Sequence, residues 1–345
     1  MESKIKQKET NYIKKHQFTD IDEVLISKFG KNFEKYRKDY YNSLDYINNE
    51  LPPFPFTVSF ELVNRCNLKC IMCYTDHHKK TKTTLDLNSI ENILKECDEN
   101  NLPAAVIGMG AEALLYKDVK KVVSLCKKYN VMDVFFGTNG TLLKPEVSKF
   151  LIESKVARLE VSLDAASSDA YKKIRGKDEL LKVEENVKNF LKIRKEMNSK
   201  LPLLRLCFCV QKENVTEVEE FKNKWTNMGV DYIDFQNMVD FSGVGPTIDE
   251  DKEWKAPPIE SLKDEEIHCS YPFNSLHVWS DGAITPCCTY YGKALVMGNT
   301  KEDKLKDVWN SKKLNNLRKE LKDKKTLNSV CRTCLFREKK HFTSV

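Results

Sequence analysis

The sequence predicts an α/β protein: a partial (β/α)6 barrel of TIM type, followed by a small cysteine-bearing C-terminal domain built from a β-hairpin and a helix. Three observations carry this expectation. Short apolar runs alternate with amphipathic stretches from residue 56 to residue 236, at spacings of about 25–45 residues, the pattern of parallel strands joined by crossover helices. An eight-strand barrel needs two more such units than the chain contains. Beyond residue 241 the text changes to glycine, proline and cysteine, with a hairpin signal at Asp281-Gly282.

In chain order, residues 1–50 read as a charged helical extension, with Ile21, Val24, Leu25 and Phe29 and then Tyr36, Tyr40 and Leu44 at helical spacing. Leu51-Pro-Pro-Phe-Pro55 breaks it. The core, residues 51–240, holds strands near 56–62, 104–109, 132–137, 157–163, 203–210 and 230–236. Helices fall between them near 88–100, 116–129, 144–154, 180–198 and 214–228. Gly243, Gly245, Pro246, Pro257 and Pro258 mark a linker into a third region, residues 241–345, where one helix (about 302–321) follows the hairpin.

The 345 residues suffice for one large domain and a smaller one, and 41% apolar content supplies its core. A net charge of +6 is too small for a nucleic-acid footprint, and no window approaches a membrane span or a signal peptide. A cytoplasmic, reduced protein is expected. Twelve cysteines there are not a disulfide framework; they read as metal ligands or catalytic groups.

The densest set is Cys66-Asn-Leu-Lys-Cys70-Ile-Met-Cys73, directly after the first strand. Three thiols on one loop suit iron–sulfur or zinc ligation, and a zinc site would take a fourth ligand such as His77 or His78. The Cys-x3-Cys-x2-Cys loop, placed after the first of six strand–helix units, resembles the radical S-adenosylmethionine superfamily. That resemblance implies a [4Fe–4S] cluster on Cys66, Cys70 and Cys73, with one iron left open to S-adenosylmethionine. Gly108-Met-Gly110-Ala-Glu112 resembles the family's Gly-Gly-Glu element, where glycines admit a ligand and a carboxylate meets its ammonium group. Ala111 and Ala113 depart from that element, and an ordinary strand-to-helix turn is the other reading. Thr138-Asn139-Gly140-Thr141 and Ser162-Leu-Asp164 end later strands and resemble the elements lining the ribose and the methionine carboxylate. Arg175 is read either as a carboxylate partner or as a surface ion pair. Met72 stands where the family commonly has an aromatic residue against adenine.

A second set, Cys269, Cys287, Cys288, Cys331 and Cys334, lies in text resembling the SPASM or twitch auxiliary-cluster domain. The resemblance implies a second [4Fe–4S] cluster on Cys269, Cys287, Cys331 and Cys334, with Cys288 spare; a zinc ribbon is the alternative. On the fifth strand, period-two alternation puts Arg205, Cys207, Cys209 and Gln211 on the lumen face. Cys207, Cys209 and Cys288 are candidate catalytic thiols. Cysteine is also a common small core residue.

The resemblance implies reductive cleavage of S-adenosylmethionine to a 5′-deoxyadenosyl radical, which takes hydrogen from a substrate in dehydrogenation or epimerisation. It also implies a flavodoxin- or ferredoxin-type electron donor. The extension shows no strands of a peptide-recognition module, so a sugar or other polar small molecule is the expected substrate, with a ribosomal peptide as the alternative. A non-catalytic zinc or iron–sulfur protein is the reading from another class.

Overall fold

The computed structural model describes residues 19–73, 82–237, 258–262, 267–289 and 291–342. His77, His78 and the linker residues Gly243, Gly245, Pro246 and Pro257 lie outside the described residues. The expected extension contains two helices, α1 (Asp20–Phe29) and α2 (Lys31–Leu44), separated at Gly30. Gly30 has φ 77°, a left-handed conformation that L side chains avoid, so the two helices turn there. Thr19 and Asp22 form a reciprocal capping box that starts α1.

Six strands follow in parallel and in sequence order: β1 (Thr57–Phe60), β2 (Ala104–Ile107), β3 (Asp133–Thr138), β4 (Arg158–Ser162), β5 (Leu203–Val210) and β6 (Tyr232–Asn237). The intervening helices are α3 (Leu87–Glu99), α4 (Val119–Lys128), α5 (Pro145–Glu153), α6 (Ser168–Arg175), α7 (Leu180–Glu196) and α8 (Val218–Asn227). This is the expected α/β architecture with a parallel sheet, a partial TIM-type barrel. Its core is apolar on the helix side: Leu204, Leu206 and Phe208 of β5 are fully buried, and Phe208 packs its ring on Phe221 of α8. Of these intervening helices only α6 has no counterpart in the sequence reading. It is short, and its apolar face consists of little more than Tyr171 and Ile174.

The C-terminal region contains α9 (Tyr271–Asn274), β7 (Ser275–Val278), β8 (Ala283–Thr285), β9 (Gly298–Asn299), α10 (Leu305–Trp309), α11 (Lys312–Asp323) and α12 (Ser329–Phe342). The hairpin β7–β8 forms as expected, with Gly282 at φ 89° in its turn. Three features differ from expectation, the first being α12, which carries Cys331 and Cys334 and has no counterpart in the sequence reading. β7 pairs in parallel with β1, so one nine-stranded sheet runs β6-β5-β4-β3-β2-β1-β7-β8-β9. The single helix expected at 302–321 is two, because Ser311 caps a new helix through the Leu314 amide at 3.2 Å. Glu96 of α3 accepts from the Leu305 and Lys306 amides at the start of α10, tying this region to the barrel helices. No helix among the described residues is long and apolar enough to cross a membrane.

α1 and α2 close the end of the sheet where the strands begin. Leu25, Phe33 and Tyr36 pack with Ala104, Ala157, Leu201 and Leu203. Beneath them lies a charged network. Arg37 meets Asp22 at 2.8 Å, and Arg158 forks onto Asp133 at 3.0 and 2.8 Å. Burial pushes the Asp22 carboxyl up, but Arg37, Tyr41 and Thr19 together outweigh it and hold Asp22 below the usual carboxylate range. A carboxyl depressed by folding contributes stability above its unfolded value, and that contribution is lost as pH falls through the folded one. Asp22→Asn is therefore expected to cost about 3–5 kcal/mol in chemical denaturation at pH 7, by leaving Arg37 without its charge partner. The cost is expected to shrink on titration below pH ~4, and a pH-independent difference would contradict this.

Candidate functional site

The loop carrying Cys66, Cys70 and Cys73 leaves β1 and is held by the last turn of α6. Lys69 N–H donates to the Arg175 carbonyl at 3.2 Å, and Ile71 N–H donates to the Ile174 carbonyl at 2.9 Å. Gly176, at φ 76°, lets the two backbones meet; a Cβ there would stand 2.8 Å from the Lys69 carbonyl oxygen. The side chain of Arg175 turns inward. Its Nη1 donates to Cys70 Sγ at 3.5 Å, and its Nη2 pairs with Asp164 Oδ2 at 2.5 Å. Arg175 thus belongs to a buried pair and not to a surface ion pair.

Asp164 occupies a left-handed conformation, φ 61°, just past β4. Its Oδ1 accepts the Cys209 amide of β5 at 2.7 Å. Asn214, fully buried, bridges the Asp164 and Cys209 carbonyls at 2.8 Å each. Burial pushes the Asp164 carboxyl up against the pull of Arg175.

On the other flank Glu112 accepts from Thr138 Oγ1 at 2.7 Å, the Asn139 amide at 2.7 Å and the Leu114 amide at 3.0 Å. Burial raises its carboxyl in spite of these donors. Asn139 Nδ2 donates to Asn67 Oδ1 at 2.8 Å and approaches Cys66 Sγ at 3.6 Å, and Asn67 donates onward to Thr141 at 2.7 Å. Gly108, at φ 99°, lies so close to β3 that a Cβ would stand 2.3 Å from the Gly137 carbonyl oxygen. Gly110 is also left-handed, at φ 78°. The residues from the ends of β1 to β5 therefore form one contiguous set around the cysteine loop.

Ser162 sits opposite Cys207 in the β4–β5 register, half-buried. Met72 lies beside Gln211, whose Nε2 is 3.8 Å from Met72 Sδ. Cys207 is buried next to Glu160, Asp164 and Asp234, and burial raises its thiol far above the usual range. Cys209 is raised to about 12 by burial first and then by Asp164.

The second cysteine set is only partly gathered. α12 packs on the 3₁₀ turn Tyr291–Ala294, and the Cys287 charge is among the influences on Cys331, whose thiol burial pushes up to about 12. Asn328 caps the Cys331 amide at 2.9 Å. Cys269 N–H donates to the Tyr46 hydroxyl at 3.4 Å, and the Tyr46 ring stacks on Phe273 with centroids 4.0 Å apart. Cys334 lies one helical turn beyond Cys331 on α12. Cys288, next to Cys287 in the chain, packs against a small apolar cluster of Met109, Trp279 and Ala283.

The donor chemistry of the first loop fits an anionic iron–sulfur centre. Its thiols are soft ligands, and a guanidinium and an amide N–H already point at two of the three sulfurs. Burial raises Cys66 and pushes Cys70 up to about 11, while the Arg175 guanidinium beside Cys70 acts against that rise by favouring the thiolate. Arg175 Nε is buried with no hydrogen-bond partner. In the second set, Gly292 leaves room where a Cβ would stand 2.3 Å from Cys287 Sγ. Among the described residues no three such side chains are gathered on a single-ion position. Sequence reasoning missed Asn67 and Asn214; a polar loop residue carries no pattern that marks it as buried.

Asp164→Ala strands Arg175 in a buried site and is expected to lower stability by about 3–5 kcal/mol in urea denaturation. Asp164→Ala with Arg175→Met is expected to recover more than half of that loss, and an additive double variant would contradict the pairing.

Comparison with known proteins agrees with this geometry. The radical SAM superfamily model matches residues 60–224, and the SPASM iron–sulfur cluster-binding domain model matches residues 269–335. The antilisterial bacteriocin subtilosin biosynthesis protein AlbA of Bacillus subtilis (strain 168) is 24% identical over 76% of this chain, which spans 61% of AlbA's length. A tungsten-containing aldehyde ferredoxin oxidoreductase cofactor-modifying protein of Pyrococcus furiosus is 24% identical over 73% of this chain and 80% of its own. The crystal structure of Streptococcus suis SuiB bound to precursor peptide SuiA shares the fold, with a TM-score of 0.62, 16% identity, and coverage of 83% of this chain and 71% of that one. Residues 60–224 carry a radical SAM superfamily domain and residues 269–335 a SPASM iron–sulfur cluster-binding domain, a combination that implies [4Fe–4S] clusters.

Proposed function

We propose that this protein is a radical S-adenosylmethionine enzyme that abstracts a hydrogen atom from a peptide substrate. The observation that carries the reaction class is the Cys66–Cys73 loop itself: three thiols at the carboxyl end of β1, two of them receiving N–H donors from Asn139 and Arg175. Cys66, Cys70 and Cys73 would hold the open cluster, and Cys269, Cys287, Cys331 and Cys334 the second. When bound, the open cluster and S-adenosylmethionine supply reductive cleavage to methionine and a 5′-deoxyadenosyl radical.

The chain's own residues bind, orient and exclude water. Gly108 and Gly110 leave backbone space for the methionine moiety, and Ser162 closes β4 at the same end of the barrel. Glu112 holds the Asn139 turn in place, so its part is mainly one of positioning. α1 and α2 seal the opposite end of the barrel, which limits water entry from below.

A peptide substrate replaces the sugar or other small molecule expected from the sequence. AlbA acts in bacteriocin biosynthesis and SuiB binds a precursor peptide; both support this reading. The small-molecule preference rested on an extension without strands. Two helices at residues 20–44 argue against one mode of leader recognition and say nothing about the substrate.

A second outcome of the same abstraction has its own observation. Cys207 is a buried thiol held protonated, able to return a hydrogen atom to the substrate radical in an inversion; the thiyl left on Cys207 would be restored by one electron from the one-electron donor and one proton from solvent.

Anaerobically reconstituted protein is expected to carry about eight irons with matching sulfide, falling to about four in a Cys66/Cys70/Cys73→Ala triple variant. Under reduction only the unsubstituted protein should form 5′-deoxyadenosine; zinc without sulfide would refute the reading. Incubation of the reconstituted protein with candidate precursor peptides tests the substrate by mass spectrometry. Oxidation removes two hydrogens. Inversion adds one deuterium from D2O, and Cys207→Ser abolishes that gain. Unchanged peptides would contradict the peptide assignment.

A further inference from the structure

The cluster loop has an outward face as well as an inward one. Ile71 is 53% exposed, a large apolar side chain presented to solvent one residue from Cys70. Around it stand Lys69 of the loop, Lys172 and Lys173 of the last turn of α6, and Lys177 just beyond it, all exposed. The backbone bonds from Lys69 and Ile71 to Arg175 and Ile174 hold these two segments together.

None of the four lysines makes an ion pair among the described residues. Elsewhere on the surface Lys121, Lys182, Lys192 and Lys222 each meet a carboxylate three or four residues away. Asp178, and Asp169 at the far end of α6, are the exposed carboxylates of this segment. The result is an apolar centre with a basic rim, the anatomy of a small transient interface.

We propose that this face is the docking surface for an acidic, low-potential one-electron carrier. The proposal rests on the reading that Cys66, Cys70 and Cys73 hold a redox cluster. The reduced carrier would give up one electron and the oxidised cluster would gain it, with no bond formed or broken. Proximity supports this. The same turn of α6 whose lysines face outward sends Arg175 Nη1 to within 3.5 Å of Cys70 Sγ, so a carrier seated on Ile71 lies one layer of protein from the cluster ligands. Unpaired lysines steer an acidic partner over about a Debye length, near 10 Å at 0.1 M salt, and the small apolar centre permits fast release.

The test compares three reconstituted proteins: unsubstituted, Lys172→Glu/Lys173→Glu/Lys177→Glu, and Lys312→Glu/Lys313→Glu/Lys319→Glu. The last makes the same charge change on exposed residues of α11. Binding of an acidic flavodoxin and of a 2[4Fe–4S] ferredoxin is measured by calorimetry at low and high salt. Single-turnover cluster reduction is followed by each reduced carrier and by reduced methyl viologen.

The α6 variant is expected to bind the carrier about tenfold or more weakly, with a shallower salt dependence, and to be reduced more slowly by it. Viologen should reduce all three proteins alike, and the α11 variant should bind carrier as the unsubstituted protein does. Equal weakening in both variants would overturn the assignment, as would unchanged binding in the α6 variant or no binding of either carrier to the unsubstituted protein. A protein that viologen also fails to reduce speaks instead against the cluster reading, while the binding comparison still decides the surface.

Discussion

Four segments of the chain meet at the buried Asp164–Arg175 ion pair: the turn after β4, the end of α6, the first strand's cysteine loop and the β5 backbone at Cys209. A buried charge pair is costly to desolvate and is retained where both partners do further work. Here each does. Asp164 fixes β5 through the Cys209 amide, while Arg175 points a permanent cation at Cys70 Sγ and its backbone carbonyl holds Lys69. The Glu112–Thr138–Asn139 cluster plays the matching part at Cys66. The cysteine loop lacks regular structure of its own, so its shape is imposed by these two polar clamps.

Much of the fold is written in local periodicity. β5 alternates a buried apolar face with a polar one, and the crossover helices carry their own amphipathic stripes, so strands and most helices can be read residue by residue. What cannot be read is long-range. The parallel pairing of β7 with β1 joins residues more than two hundred positions apart, and nothing in Ser275–Val278 announces which edge it will take. α6 escaped because eight residues give barely two turns of pattern. The break between α10 and α11 did have a local sign, the Ser311 cap, masked by the continuous helical spacing around it.

The site follows the same division. Cysteine spacing and glycines at strand ends mark ligands, because their chemistry or backbone freedom is rare. The second tier is ordinary in sequence: Asn67 and Asn214 are polar loop residues whose burial depends on strands far away in the chain. Arg175 is ambiguous for the same reason, since only the fold decides whether a guanidinium meets water or a buried carboxylate. Substrate class lies further out still. It depends on what enters the barrel, and the helical extension proves to be a plug for the other end.

The most direct measurement of the central claim is electron–nuclear double resonance on the reduced protein with S-adenosylmethionine labelled with 15N in the amino group and 17O in the carboxylate. The account predicts hyperfine coupling from both labels to the cluster on Cys66, Cys70 and Cys73, and its loss in the Cys66/Cys70/Cys73→Ala protein while the second cluster's signal persists. A reduced cluster that shows no coupling to either label would contradict an open iron at this loop.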